Sequence, residues 1–138
     1  MASILKVDEL QGIATTGDIT VTSEGGAATQ SLQQGLAKAW VNLNGTGTIA
    51  ARDSFNNSSL TDSGTGSYVV VLTNSFSSIN YVVLGQSNQA SDTDDNLNES
   101  TMPSSLAAGQ YNLSTGSVAT NSRVDHSFIR SAAHGDLA

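Results

Sequence analysis

The chain has 138 residues, which is enough for one small domain and an extension. Five basic side chains against twelve acidic ones give a formal net charge of −7, so no basic surface is available to neutralise phosphates, and neither a nucleic acid nor an anionic membrane surface is expected as a partner. The sequence has no cysteine, which excludes disulfides, thiolate metal sites and cysteine nucleophiles.

Residues 1–28 contain two short β-like runs and few other apolar side chains. The apolar residues of these runs are Ile4, Leu5, Val7, Ile19 and Val21. A segment so poor in apolar side chains cannot form a core of its own, so it is predicted to be an extended anchoring arm or to wrap on a neighbour. Its opening has no long apolar run, which predicts neither a signal peptide nor a transmembrane helix, and the protein is expected to be made in a cytoplasm and not secreted.

Residues 29–39 predict a short helix that joins the arm to a second region. Leu32, Leu36 and Ala39 fall at helical spacing on one face. A helix of this length with Gly35 at its centre is marginal alone, so it needs packing partners. Copies of the same helix around a symmetry axis would supply them, and so would the β-domain of its own chain; the spacing leaves both open.

Residues 40–138 are predicted to form a β-domain, because the pattern changes to period two at the end of the joint. Ala39, Val41 and Leu43 fall on one face of the first strand, and Asn44-Gly45 is a strong hairpin-turn signal. Further strands are predicted at residues 48–52, 55–60, 67–73, 80–85, 110–114 and 124–132. Short strands at this spacing predict an all-β fold, a small antiparallel β-sandwich or barrel.

Residues 86–109 carry almost no strand signal and are predicted to form a long loop, which in a compact domain is usually functional or mobile. The loop residues expected to face a receptor are Asp92, Asp94, Asp95, Asn96 and Asn98. Three of them, Asp92, Asp94 and Asn96, are also weak metal-ligand candidates, because oxygen ligands alternate as in a calcium loop. The EF-hand pattern is broken at its sixth position, which is Leu97 instead of Gly, so a solvated acidic loop is the alternative.

Catalytic chemistry finds little support in the sequence. Asp125 and Ser127 flank His126, which suggests a triad, but neighbours on a strand point to opposite faces and cannot both address the imidazole locally. The Gly-x-Ser-x-Gly pattern of a nucleophile elbow is absent from the sequence. The protein is therefore predicted not to be an enzyme, and no cofactor is expected.

Three stretches of the sequence carry a family resemblance. They are the opening MASILKVDEL, the joint GLAKAWVNLNGTGTIAARDSFNNSSLTDSGTGSYVV and the ending SAAHGDLA. The specific part lies within the joint, at residues 35–42, 44–47, 52–56 and 63–66. Together they resemble a family of tail-fibre-like virion proteins of marine bacteriophages, including those that infect cyanobacteria.

The resemblance implies a non-enzymatic virion protein, assembled in the host cytoplasm as a homotrimer. It would be a short tail fibre that exposes loops for attachment to a host-surface glycan or protein, or else a capsid decoration, head fibre or tail adaptor with a purely structural role. Other phage structural proteins would bind the N-terminal arm. With the marginal helix and the coreless arm, the resemblance favours an intersubunit contact made by Leu32, Leu36, Ala39 and Trp40.

Overall fold

A computed structural model describes residues 5–12, 19–23, 25–89 and 99–138 of the chain. The chain divides into an N-terminal unit, residues 1–36, and a C-terminal unit, residues 37–138. Antiparallel strands make up most of the described structure and helix makes up almost none of it. The predicted all-β class is therefore confirmed.

The N-terminal unit contains a short β-hairpin followed by one helical turn. Strand β1 (Thr20–Thr22) pairs antiparallel with β2 (Thr29–Ser31). The connection turns at Gly26, whose φ of 70° is a left-handed conformation that glycine adopts without strain, and Gly26 N donates to Ser23 O at 2.8 Å. Helix α1 (Leu32–Gly35) follows β2 directly. The alternating run near residue 20 thus lies on a strand.

The helix predicted over residues 29–39 is wrong in its extent, because only the four residues of α1 are helical. Its first residues belong to β2, and Leu36 is already extended, with φ −94° and ψ 140°. Ala39 is the first residue of a strand. Nucleating a helix is costly and Gly35 adds about 1 kcal/mol relative to alanine, while α1 buries none of its side chains to offset these terms.

The C-terminal unit contains two antiparallel sheets. The four-stranded sheet has the order β4 (Ala50–Phe55), β3 (Ala39–Asn44), β11 (Phe128–His134) and β7 (Val82–Asn88). The five-stranded sheet has the order β10 (Ser122–Arg123), β9 (Gln110–Ser117), β6 (Ser67–Leu72) and β5 (Asn57–Asp62), with β8 (Glu99–Ala107) also paired to β9. Strands β3 and β4 form the antiparallel hairpin that Asn44-Gly45 predicted, but the connection is longer, residues 45–49, and its left-handed residue is Gly47 with φ 65°.

Alternate residues of both sheets fill one shared core. Its buried apolar side chains are Ala39, Val41, Leu43, Tyr68, Val70, Leu72, Phe76, Tyr81, Tyr111, Leu113, Ile129 and Ala133. In β3 the three buried positions are those that the period-two pattern predicted. Burying one large apolar side chain is worth about 1.5–3 kcal/mol, so this cluster is the main source of stability for the C-terminal unit.

Tyrosine hydroxyls in this core bond to groups on other strands and connections. Tyr111 on β9 shares a hydrogen bond of 2.9 Å with Ser131 on β11, so it links the two sheets. Tyr81 donates to the backbone oxygens of Ala107 and Gln110, at 2.9 and 2.8 Å. A buried hydroxyl without a partner would be costly, and these bonds remove that penalty.

The long loop predicted over residues 86–109 is wrong at both ends. Residues 86–88 complete β7, and β8 occupies nine residues after the acidic stretch. The backbone of β8 pairs with β9 from Glu99 to Ala107, although its side chains lack apolar alternation. Pro103 is tolerated because β8 ladders with no other described strand than β9, and proline is confined to such edge positions.

Candidate functional site

The surface of the N-terminal unit is apolar for its size. None of its described residues is buried. Leu5 is 77% exposed, and Val7, Leu10 and Leu36 are more than half exposed. Val21 on β1 is exposed as well. Of the predicted anchoring residues, Leu5, Val7 and Val21 are therefore available to a partner.

The other two predicted anchoring residues are Ile19 and Ile4. Ile19 is half-buried and its backbone oxygen accepts from Leu32 N at 2.7 Å, so it helps to hold α1 against the hairpin. Ile4 lies outside the described residues. All five predicted receptor-facing residues, Asp92, Asp94, Asp95, Asn96 and Asn98, also lie outside them.

The predicted intersubunit residues separate into two groups. Leu32 is half-buried in α1 and Leu36 is exposed. Ala39 is 1% exposed and packs in the core of its own unit, so its assignment to an intersubunit contact is wrong. Trp40 follows Ala39 on β3 and therefore points to the opposite, outer face, where 36% of it is exposed.

An apolar row crosses the outer face of the four-stranded sheet. Phe55 on β4 lies opposite Trp40 on β3, Trp40 lies opposite Ala132 on β11, and Ala132 lies opposite Leu84 on β7. Phe55 and Leu84 are each more than half exposed. An open depression of about 340 Å³ lies over Trp40, Leu84 and the neighbouring Arg130. This apolar row was not predicted as a unit, because cross-strand register is needed to align its four members.

A second depression, the hydroxyl groove, lies on β8, β9 and β10 of the five-stranded sheet and measures about 510 Å³. Its hydroxyl lining comes from Ser100, Ser104, Ser114, Ser117 and Ser122. The exposed side chain of Arg123 and the backbone of Gly116 complete it. None of these residues was predicted as a site, since the stretch that forms β8 has no periodic signal.

A partly buried polar cluster centres on Asp125. Its Oδ1 accepts from Gly66 N at 2.6 Å and from the Tyr68 hydroxyl at 2.9 Å. Tyr68 also donates to Gly45 O at 3.1 Å. Burial and the neighbouring Asp125 carboxylate both disfavour the phenolate and raise the pKa of Tyr68. These bonds tie three connections together and leave Asp125 occupied as a structural acceptor.

His126 bonds to neither of its sequence neighbours. Its Nδ1 lies 2.7 Å from the Ser87 hydroxyl of β7, and Ser127 instead donates to Gln89 O at 2.6 Å. Burial lowers the pKa of His126, while the Glu99 and Asp125 carboxylates act in the opposite direction. His126 is 1% and Ser87 8% exposed, so this Ser–His pair is closed to a substrate in the described structure.

The described residues were searched for a metal site and for a membrane-spanning helix. No group of three or more His, Cys, Asp or Glu side chains in that part of the chain could hold a metal ion. The weak ligand candidates Asp92, Asp94 and Asn96 lie outside it. None of the helices described is long and apolar enough to span a membrane.

Comparisons with known proteins do not identify a function for this chain. No protein-family model, curated protein or solved structure matches the chain. The resemblance to tail-fibre-like virion proteins stays a prediction. Three described surfaces are therefore the candidates for function: the N-terminal unit, the apolar row and the hydroxyl groove.

Proposed function

We propose that this protein is a structural component of a bacteriophage virion, a short trimeric tail-fibre-like appendage. The N-terminal unit anchors it to another virion protein, and the C-terminal unit, an antiparallel β-sandwich, faces outward for host-surface attachment. The observation that carries the proposal is the N-terminal unit itself, which exposes five large apolar side chains and buries none of its described residues.

The anchoring role is supported by the free energy that burial of the exposed apolar side chains of the N-terminal unit would release. Burying a side chain such as leucine or valine is worth about 1.5–3 kcal/mol, and the described part of the N-terminal unit leaves this free energy unused. Leu5 and Val7 alternate with Lys6 and Asp8, which suits a strand that adds to the sheet of a neighbour. A partner that covers these side chains would order the segment on binding.

The outward role rests on the two surfaces of the C-terminal unit. The apolar row is suited to contact between copies, since exposed contiguous apolar surface marks an interaction site. Three copies that each present a shallow hydroxyl groove would bind a repetitive host surface with avidity, and no deep pocket is needed. Trp40 is in this arrangement a structural contact between copies.

The anchor is tested on particles of a phage that encodes this chain. The double variant Leu5→Asp with Val7→Asp is expected to fold but to be depleted from purified particles by about tenfold or more, because charged groups cannot enter the apolar contact. Quantitative mass spectrometry of the particles measures this. Ile79→Asp, which alters an exposed apolar residue of the C-terminal unit, is the matched control and should be retained.

The second candidate function is a capsid decoration or tail adaptor with a purely structural role. It is favoured by the β1–β2 hairpin, whose strands pair only with each other among the described strands and so leave two edges for β-augmentation. Adsorption separates the two functions. Particles that lack the protein should adsorb to host cells several-fold more slowly if it is an attachment fibre, and at the normal rate if it is a decoration. Native protein missing from the particles would contradict both.

A further inference from the structure

The hydroxyl groove has the features of a ligand site. We propose that it binds a sugar bearing an anionic group, either the carboxylate of a uronic acid or a sulfate ester, on the host surface. This inference rests on the proposed attachment function and names the chemistry of the receptor. The receptor-binding surface proposed here is the one formed by β8, β9 and β10, in place of the acidic loop that the sequence predicted.

The groove is of a suitable size and composition for a sugar. Its volume of about 510 Å³ lies within the range of roughly 300–1,000 Å³ that is typical of small-molecule sites. Five serine hydroxyls line it. That of Ser100 already donates to Gly116 O at 3.3 Å and that of Ser122 shares a bond of 2.7 Å with Thr120, but both keep acceptor capacity. A serine hydroxyl can donate one hydrogen bond and accept two, which matches the donors and acceptors of a polyol. Ser100 and Ser104 come from β8, Ser114 and Ser117 from β9, and Ser122 from β10.

Gly116 lets β10 lie close against β9 beside the groove. In register, Ser100 on β8 and Arg123 on β10 are both partners of Gly116 on β9. Gly116 has no side chain, and a Cβ atom there would lie 2.6 Å from Ser122 O, so the close approach of β10 requires glycine. Ser100 and Arg123 therefore lie on the two strands that flank Gly116, and a ligand that spans β9 would contact both.

Arg123 supplies the selectivity for an anion. Its guanidinium is exposed and has no ion-pair or hydrogen-bond partner among the described residues. Two described carboxylates, Asp125 two residues along the chain and Glu99 on β8, have other partners: Asp125 accepts from Tyr68, and Glu99 accepts from Gln89 N at 2.7 Å. In the part of the chain that the structure describes, no Asp or Glu lines the groove. A guanidinium forms bidentate bonds with a carboxylate and charge-assisted bonds with a sulfate, so it is the natural anion donor here.

Two exposed apolar side chains complete the surface for a sugar ring. Met102 on β8 is 65% exposed, and Val118 after β9 is 61% exposed. Both line the groove and would pack against the C–H face of a pyranose. The net charge of −7 does not prevent anion binding, because charges farther away than the Debye length of about 8 Å are largely screened at physiological salt.

The test uses the full chain and three tetrasaccharides in isothermal titration calorimetry and two-dimensional NMR. Tetragalacturonic acid carries carboxylates, sulfated maltotetraose carries sulfate esters, and maltotetraose is neutral. At least one of the anionic compounds is expected to bind saturably, with NMR shifts at Ser100, Gly116 and Arg123. The anionic compound that binds identifies which of the two groups the groove takes.

Variants of the groove give the decisive comparison. Arg123→Gln should weaken binding of the anionic sugar about tenfold or more, and Arg123→Lys, which keeps the charge but loses the planar fork, about threefold. Lys6→Gln removes one positive charge from the N-terminal unit and should leave the affinity unchanged. Met102→Glu introduces a carboxylate at an exposed position of the groove and should abolish binding, which provides a second test if Arg123→Gln fails to fold.

Three results would overturn the inference: no saturable binding of either anionic compound at about 10 mM, equal affinity for maltotetraose, or unchanged affinity in Arg123→Gln and Met102→Glu. Any of these combined with normal incorporation of the native protein into particles would leave the proposed virion role intact. If the native protein binds the anionic sugar but is missing from purified particles, the virion role alone is contradicted.

Discussion

Several buried and partly buried polar residues hold separate parts of the C-terminal unit together. Asp125 and Tyr68 hold the connections near Gly45 and Gly66, and Tyr111 joins the two sheets through Ser131. Such bonds contribute only about 1 kcal/mol each when made, but a buried group that loses its partner costs about 1–3 kcal/mol. The partners come from distant parts of the sequence, and for this reason no local motif predicts them.

Acid is expected to destabilise the fold through His126. Burial lowers its pKa in the folded chain below the value of about 6.5 expected when unfolded, so below that pH the unfolded chain binds a proton that the folded chain does not. The part of the unfolding free energy that depends on neutral His126 is then fully present above about pH 7.5, and it is lost as the pH falls below about 6.5. Urea unfolding of the native chain and of His126→Gln across this range measures the effect.

The difference in unfolding free energy between the native chain and His126→Gln should shrink as the pH falls, because the variant lacks the imidazole and keeps the other titrating groups. A difference that is constant, or that grows in acid, would mean that the Glu99 and Asp125 carboxylates hold His126 in its charged form and that burial is not the larger cause.

Elements with an apolar side chain at every second position are the ones that the sequence predicts. In β3 and β6 such residues enter the core, and strands were expected at both places. The helix was predicted too long, and the strand β8 was not predicted, since backbone pairing to β9 fixes β8 and its own side chains carry no periodicity. The hydroxyl groove is built on β8, so it was beyond prediction for the same reason.

Asn56 is expected to be the main stabilising residue of the connection between β4 and β5. It lies alone between strands of different sheets with φ 57°, and its side chain bonds Lys38 O at 3.0 Å and the backbone N and O of Asn74 at 2.6 and 3.0 Å. Asn56→Ala should lower the unfolding free energy by about 2–4 kcal/mol, from three lost bonds and a left-handed backbone that alanine disfavours.

Asn56→Gly separates these two causes. Glycine loses the same three bonds but adopts the left-handed conformation freely, so it should be about 1 kcal/mol more stable than Asn56→Ala in urea unfolding. Equal losses in the two variants would show that the backbone conformation at this position contributes nothing and that the side-chain bonds account for the whole effect.

At the scale of the whole molecule, the described residues of each unit expose an apolar surface. The N-terminal unit exposes Leu5 and Val7, and the four-stranded sheet exposes Phe55 and Leu84 beside Trp40. Charged residues make up only 12% of the chain, so little surface charge opposes association. These two features together predict a protein that works within an assembly.

Self-association is expected to depend on the apolar row. The native chain should sediment as a trimer at about 10 μM, and Trp40→Glu should sediment as a monomer, because a carboxylate at the centre of the row would be desolvated without a partner. Trp40 lies on the outer face of β3, so the variant keeps the core, and its circular dichroism should match that of the native chain.

Ile79→Glu adds the same charge at another exposed apolar residue and should remain a trimer. This control separates a specific contact from a general effect of charge on association. A native chain that sediments as a monomer would remove the intersubunit role of Trp40. A trimer that survives Trp40→Glu would instead place the contact elsewhere, with Leu32 and Leu36 of the N-terminal unit as the remaining predicted residues, since Ala39 is enclosed in the core of its own chain.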